Sequence, residues 1–120
     1  MKNTYIIKKN NDLKYVLKRG NYFISKYVVI HCNKNNNKDL KNYFAVCVSK
    51  KNGISVHRNK LKRWAREAYK FEENKIKKGY NIVILYKKTT KLKDLSFDII
   101  YKDIKRGFKE INLYDNNENI

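Results

Sequence analysis

The stretch HRNKLKRWAREAYK, residues 57–70, combines six basic side chains with a single acid. Arg and Lys bind phosphate groups, Arg through a planar fork and Lys as a compact charge. Apolar residues interrupt the basic ones at spacings of three and four, which is typical of a helix with one buried face. These apolar positions are Leu61, Trp64, Ala65 and Ala68. The stretch therefore predicts a helix that packs on a core and offers its other face to phosphates.

The charge of this helix opposes helix formation. Arg58, Lys62 and Arg66 stand four residues apart, and like charges at this spacing destabilise an isolated helix by roughly 0.2–0.5 kcal/mol per pair. Ser55 is a suitable N-cap, which would place His57 and Arg58 in the first turn, where the helix dipole disfavours each cation by ~0.3–1 kcal/mol. The free backbone N–H groups of a helix start suit an anion. We therefore expect the charge to serve a polyanionic partner.

The composition of the whole chain supports the same partner. The 120 residues include 29 Lys and Arg against 11 Asp and Glu, for a formal net charge of +18. No acid occurs from Leu40 to Arg66, so the basic excess is concentrated around the predicted helix. A compact body tolerates such self-repulsion most readily when a polyanion neutralises it. Nucleic acid is the first expectation.

The sequence gives no sign of a membrane protein or of a metal site. It has no long apolar run, and MKNTYIIKKNND lacks the features of a signal peptide, so we expect a cytoplasmic protein with no membrane partner. Cys32 and Cys47 lie in apolar alternating runs without CxxC spacing, which favours small buried side chains over zinc ligands. We expect the protein itself to hold no metal and no catalytic residue.

The elements that would position the basic helix follow from apolar periodicity. We predict one domain, residues 1–120, with frayed ends at about 1–5 and 112–120. Asn10 and Asn11 are candidate N-caps of the first helix, and Gly20 is expected to end it in the left-handed conformation. Gly79 is expected to stop the basic helix. The predicted order is helix 11–19, strands 22–32 and 42–49, helix 56–77, strand 80–86 and helix 97–111.

These elements predict an α+β fold, a two-layer sandwich of order α-β-β-α-β-α around a small mixed sheet. The turn-rich segment NKNNNKDLK joins the first two strands. We therefore expect strands 22–32 and 42–49 to pair as a hairpin.

The stretch SKKNGISVHRNKLKRWAREAY resembles the signature of the bacterial ribonuclease P protein subunit. In that family a Ser-Lys-Lys strand end and a Gly-containing loop lead into an Arg-Asn-Arg helix. NNDLKYVLKRG, FISKYVVIH and GYNIVILYKK resemble the first helix, first strand and late strand of the family, in the same order. The resemblance covers roughly residues 5–111.

The resemblance implies a ribosomal protein S5 domain 2-like fold with a left-handed βαβ crossover. It also implies a subunit of an endoribonuclease in which an RNA, with bound Mg²⁺, removes the 5′ leader of precursor tRNA. The protein alone would be inactive, and its partners would be the catalytic RNA and precursor tRNA. Two RNA-contacting surfaces follow, one on the basic helix and its loop and one in a cleft between the first helix and the sheet.

The family's contacts are carried over by matching positions. For the RNA subunit they are Lys50, Lys51, Arg58, Asn59, Lys60, Lys62, Arg63 and Arg66. For the leader they are Leu13, Leu17, Val28, Ile30, His31, Val46 and Ser49. The chain departs from the family at Lys60, where Arg is usual, at Leu13 and Leu17, where Phe is frequent, and at His31, where Tyr is frequent. Base stacking on the leader is therefore expected to be weaker or to be supplied by other residues, such as Tyr27 or Tyr22.

Three other classes of protein compete with this interpretation. A non-catalytic RNA-binding scaffold such as a ribosomal protein would fit the charge equally well. An independent nuclease would need gathered carboxylates, and Asp94, Asp98 and Asp103 are the nearest set, more readily explained as a solvated helix face. A DNA-binding helix-turn-helix is disfavoured, because a hairpin and a loop precede the basic helix.

Overall fold

The computed structural model describes residues 3–35 and 37–115, except for the side chain of Asp94. Within these residues, five strands and three helices follow one another in the order β-α-β-β-β-α-β-α, with short 3₁₀ turns at Lys50–Asn52, Glu73–Lys75 and Leu92–Asp94. The strands are β1 (Thr4–Ile6), β2 (Asn21–Ile24), β3 (Val28–Lys34), β4 (Asn42–Cys47) and β5 (Tyr80–Tyr86). The helices are α1 (Asn10–Arg19), α2 (Ser55–Glu72) and α3 (Phe97–Glu110). The predicted α+β fold with a mixed sheet is confirmed.

The five strands form one sheet in the order β1-β4-β5-β3-β2. Strand β4 pairs in parallel with both β1 and β5, whereas β3 pairs antiparallel with β5 and β2. Helix α2 is the crossover between the parallel strands β4 and β5. The predicted hairpin of strands 22–32 and 42–49 is wrong, because β5 lies between β3 and β4. The sequence of β5, YNIVILY, is apolar on both faces, as a central strand requires.

The predicted strand 22–32 is broken into β2 and β3, which pair with each other. A turn at residues 25–27 separates them, and the buried carboxylate of Asp103 in α3 holds this turn. Its oxygens accept hydrogen bonds from Ser25 Oγ at 2.6 Å and from the backbone N–H of Tyr27 at 2.8 Å. A charged acceptor of three hydrogen bonds, the third from Lys26 N–H, stabilises the turn.

The two faces of the sheet carry different helices. On one face, alternate residues such as Ile30, Phe44 and Ile84 form the main core with α2 and α3. On the other, Ala45 and Val83 form a smaller cluster with Val16 of α1. Since successive side chains of a strand point to opposite faces, the face of each strand residue follows from this division.

The ends of the helices correct several expectations. Lys9, not Asn10 or Asn11, is the N-cap of α1, and it makes no side-chain cap hydrogen bond. Gly20 is extended, with φ −82°, and not left-handed. Glycine is needed there because the backbone of residue 20 passes close to the backbone of β3. A Cβ at this position would lie 2.5 Å from the carbonyl oxygen of Cys32.

The basic helix α2 also has boundaries other than those predicted. Its N-cap is Ile54, so Ser55 is the first helical residue. The helix ends at Glu72, before Gly79, which does adopt the left-handed region with φ 84°.

The predicted frayed ends are too long at both termini. Residues 4–6 form β1, and Leu113 is buried in the main core. Tyr114 bridges to Ile76. Residues 1, 2 and 116–120, where fraying was also predicted, lie outside the described residues.

Candidate nucleic-acid interface

The loop that leads into α2 is held by a capping box. Ser49 Oγ accepts a hydrogen bond from Lys51 N–H at 3.0 Å, and Ser49 N–H donates to Asn52 Oδ1 at 2.9 Å. The buried Asn52 side chain also donates to the carbonyl oxygens of Lys87 and Thr90, at 2.7 and 2.8 Å. The loop is therefore fixed to the connection after β5. The side chains of Lys50 and Lys51 point into solvent from it.

Helix α2 separates its apolar and basic residues as the sequence predicted. Leu61, Ala65, Ala68 and Tyr69 are buried, and Tyr86 OH donates to the Leu61 carbonyl at 2.7 Å. The predicted RNA-subunit residues of α2 are exposed at Asn59, Lys60, Arg63 and Arg66 and half-buried at Arg58 and Lys62. Within residues 3–35 and 37–115, none of their charges pairs with an acid. The helix presents a basic surface that the described chain leaves uncompensated.

Two of these residues make specific contacts within the helix. Arg58 Nη2 donates to Ser55 Oγ at 3.0 Å, while its buried Nε meets no acceptor in the described part of the chain. The ammonium of Lys60 lies 5.5 Å from the centre of the Trp64 ring, within the range of a cation–π interaction. Lys60, which departs from the family's Arg, is thus held over an indole.

The predicted leader residues fall on both sides of the sheet. Leu13 and Leu17 pack at the margin of the α1 cluster. His31 lies on the same face, since it pairs with Val83. Val28, Ile30 and Val46 face the opposite core with α2 and α3, where Val28 and Ile30 are fully buried. Their placement in the cleft is wrong, because the register puts them one residue out of phase with His31. Ser49 caps the loop before α2.

The cleft face of the sheet also carries residues outside the leader set carried over from the family. These are Tyr22, Ile24, Val29, Cys47 and Leu85, which share the α1 face by register. Tyr22 is 62% exposed, and its ring centre lies 5.7 Å from that of His31. The alternation of side chains along β3 places Val29 on the same face as His31. Tyr22 and Leu85 are neighbours of these two residues only because β2 and β5 pair with β3.

Two groups in the cleft have shifted pKa values. Burial lowers the pKa of His31, so its ring is neutral at neutral pH. Its Nδ1 is buried and has no partner among the described residues. Burial also raises the pKa of the Cys47 thiol, and the nearby Lys62 ammonium opposes this rise. Strand β4 ends at Cys47 and α2 begins at Ser55, so the loop before the basic helix starts at this end of the cleft face.

The nearest set of carboxylates does not assemble. Asp98 pairs with Lys102 at 3.0 Å on exposed α3, whereas Asp103 is buried and holds the turn at residues 25–27. The side chain of Asp94 is not described. No three His, Cys, Asp or Glu side chains gather into a possible metal site in the described ranges. Nor is any helix there long and apolar enough to cross a membrane.

The fold and this surface define a class, a small basic α+β protein whose βαβ crossover helix carries exposed Arg and Lys. Comparison with known proteins makes this class specific. The sequence model of the ribonuclease P family matches residues 1–112. The chain belongs to the ribonuclease P protein family, and the resemblance seen in the sequence is confirmed.

Relatives from several bacteria show the extent of the match. The ribonuclease P protein component of Clostridioides difficile strain 630 is 36% identical over 106 residues, which is 88% of this chain and 86% of that protein. The ribonuclease P protein component of Fusobacterium nucleatum is 36% identical over 105 residues, 86% of this chain and 93% of that one.

Solved structures agree with the fold. The RNase P protein of Staphylococcus aureus matches with a TM-score of 0.81 and 28% identity, over 92% of this chain and 98% of that one. The RNase P protein of Thermotoga maritima matches with a TM-score of 0.73 and 26% identity, over 83% and 91%. Membership of this family implies a role in tRNA 5′ processing, within an endoribonuclease complex that includes RNA.

Proposed function

We propose that this chain binds the catalytic RNA of ribonuclease P through α2 and its preceding loop, and the 5′ leader of precursor tRNA in the cleft beside α1. In this role it assists the endonucleolytic removal of the leader. The observation that carries the proposal is the basic face of α2, whose charges pair with no acid in the described residues. The exposed ring of Tyr22 beside His31, on the face of the sheet that packs against α1, supports the second surface. Phosphates would neutralise the first surface and unstacked bases would fill the second.

The basic surface suits an RNA backbone in both charge and geometry. Exposed Arg63 and Arg66 offer planar forks to phosphate oxygens. Lys50 and Lys51 add charge from the loop, which Asn52 and Ser49 hold in place. Each phosphate contact releases counterions, so binding should fall steeply with salt.

The cleft suits single-stranded RNA. Tyr22 and His31 offer adjacent rings, and base stacking on an aromatic side chain contributes ~1–3 kcal/mol per base. Leu13 and Leu17 form the α1 wall of this cleft and give apolar contact where the family often has Phe.

The proposed catalyst is the RNA subunit, which would hold most of the Mg²⁺. The described residues offer no carboxylate cage for this ion, and Mg²⁺ binds well to phosphate oxygens. The protein's part is to screen repulsion between two RNAs and to fix the leader in register. We place this activity in the cytoplasm.

The proposal can be tested by binding. The chain is mixed with a bacterial ribonuclease P RNA, and affinity is measured for precursor tRNA and for the mature tRNA that lacks a leader. We expect the protein to strengthen binding of the precursor selectively. Equal strengthening of both tRNAs would contradict a leader site and would favour a non-catalytic scaffold.

A further inference from the structure

Helix α1 divides its face of the sheet into two grooves. Val16 of α1 packs on Ala45 and Val83. The leader cleft lies on the side of Cys47 and Leu85, two residues further along β4 and β5. Tyr43 and Asn81 lie two residues earlier on the same strands and face the same side. They therefore belong to a second groove across α1 from the cleft.

This second groove is a defined cavity of about 530 Å³ between α1, the sheet and the start of the β3–β4 connection. Its lining includes three lysines and two tyrosines, with Asp12 as its single acid among the described residues. The lysines are Lys8, Lys9 and Lys34, and the tyrosines are Tyr15 and Tyr43. All three lysines are exposed, and none of them pairs with an acid in the described ranges. The groove is basic and aromatic.

Its chemistry matches single-stranded RNA. Tyr15 is 55% exposed, and Tyr43 lies beside Tyr5 with ring centres 5.4 Å apart, which gives several ring surfaces on which bases can stack. Asn81 donates its Nδ2 to Asn33 at 3.0 Å, which leaves its Oδ1 without a donor in the described part of the chain. A base amino group can supply that donor.

We propose that this groove holds leader nucleotides further from the cleavage site than those in the cleft. This inference rests on the proposed function. The exposed side chains of Lys14 and Lys18 lie on α1, between the two grooves, and offer phosphate contacts along the crossing.

The position of the second groove relative to α2 favours the leader over the catalytic RNA as its occupant. The loop that leads to α2 begins directly after Cys47, at the cleft end of β4, whereas the second groove lies at the opposite ends of β4 and β5. A leader that enters the cleft beside α2 and crosses α1 therefore arrives in the second groove. The catalytic RNA, bound at α2, lies on the far side of the cleft.

The test uses the protein assembled with ribonuclease P RNA and precursor tRNAs whose leaders are lengthened one nucleotide at a time. The affinity of the wild-type assembly for precursor tRNA should rise as the lengthening leader fills the cleft. It should rise a second time when the leader is long enough to reach the second groove. Tyr15→Ala should remove the second rise, by about tenfold for one lost base stack. The first rise should persist in this variant.

Tyr22→Ala is the matched control, because Tyr22 is a similarly exposed tyrosine on the other side of α1. It should weaken binding of short and long leaders alike. Lys34→Gln, an exposed substitution, should lower the salt dependence for long leaders only.

Three outcomes would overturn the inference. One is an unchanged second rise in Tyr15→Ala, and another is an equal loss for every leader length. The third is weaker assembly of the variants with the catalytic RNA, which would assign the groove to that RNA. A failure of the proposed function would look different, since the wild-type protein would then give no leader-dependent affinity at all.

Discussion

The side-chain nitrogen of Asn52 donates a hydrogen bond of 2.8 Å to the backbone carbonyl of Thr90. Asn52 precedes the basic helix by three residues, and Thr90 follows the central strand β5. The contact therefore ties the loop before α2 to the connection between β5 and α3. Asn52 is 1% exposed, so its polar atoms depend on these partners.

Replacing Asn52 with Ala should lower the free energy of unfolding by about 1–3 kcal/mol, because buried partners at Ser49, Lys87 and Thr90 lose their hydrogen bonds. Urea denaturation measures this change. Asn59→Ala, at an exposed position of α2, should change stability by less than about 0.5 kcal/mol. Equal stability of the two variants would contradict the anchoring role.

Replacing Arg63 with Ala should weaken binding to the catalytic RNA and reduce the salt dependence by about one unit of slope, since one phosphate contact is lost. Binding titrations over a series of salt concentrations measure both quantities. Lys109→Ala, an exposed lysine on α3, is the control and should leave the slope as it is. A slope that stays unchanged in Arg63→Ala would argue against a phosphate contact.

Lys60→Arg should strengthen binding to the catalytic RNA. The planar fork of Arg makes two hydrogen bonds to a phosphate and can still stack on Trp64, as the Lys60 ammonium does now. One additional charged hydrogen bond corresponds to about 1.5 kcal/mol, or roughly tenfold in affinity. The salt slope should not change, because the charge is the same. Weaker binding of Lys60→Arg would mean that a compact ammonium is required.

His31 should make stability depend on pH. Burial lowers its pKa below the ordinary 6.5, so the unfolded chain takes up this proton at a higher pH than the folded chain. The stabilising contribution is complete above about pH 6.5 and is lost as the pH falls toward the folded pKa. Urea denaturation from pH 8 to pH 5 measures the free energy of unfolding. This free energy should depend less on pH in His31→Gln than in the wild-type protein, by at most ~1.4 kcal/mol per pH unit. Parallel curves for the two proteins would contradict this role.

The elements with strong periodicity could be predicted from the sequence, and their pairing could not. Apolar residues at helical spacing identified α1, α2 and α3, and the apolar run of β5 identified a central strand. Strand β1 is only three residues long and exposed at Tyr5 and Ile6, so it shows no alternation between buried and exposed residues. The break between β2 and β3 depends on Asp103, which is distant in sequence.

The basic surface of α2 could be predicted from the sequence more fully than the cleft beside α1. Charge is local in sequence, so the basic residues of α2 were identified directly and lie exposed or half-buried as expected. A cleft on a sheet depends on which face each residue occupies, and an error of one position moved Val28, Ile30 and Val46 to the wrong side. Tyr22 lies beside His31 because β2 pairs with β3, and this pairing is not fixed by local spacing.

The most direct test of the central claim is leader removal by a bacterial ribonuclease P RNA at low magnesium, with and without this protein. Restored cleavage at the 5′ end of the mature tRNA sequence is the expected result, because on the proposed function the protein would screen phosphate repulsion that magnesium would otherwise have to screen. The protein without RNA should not cut. No restored cleavage with the RNA present would contradict the account.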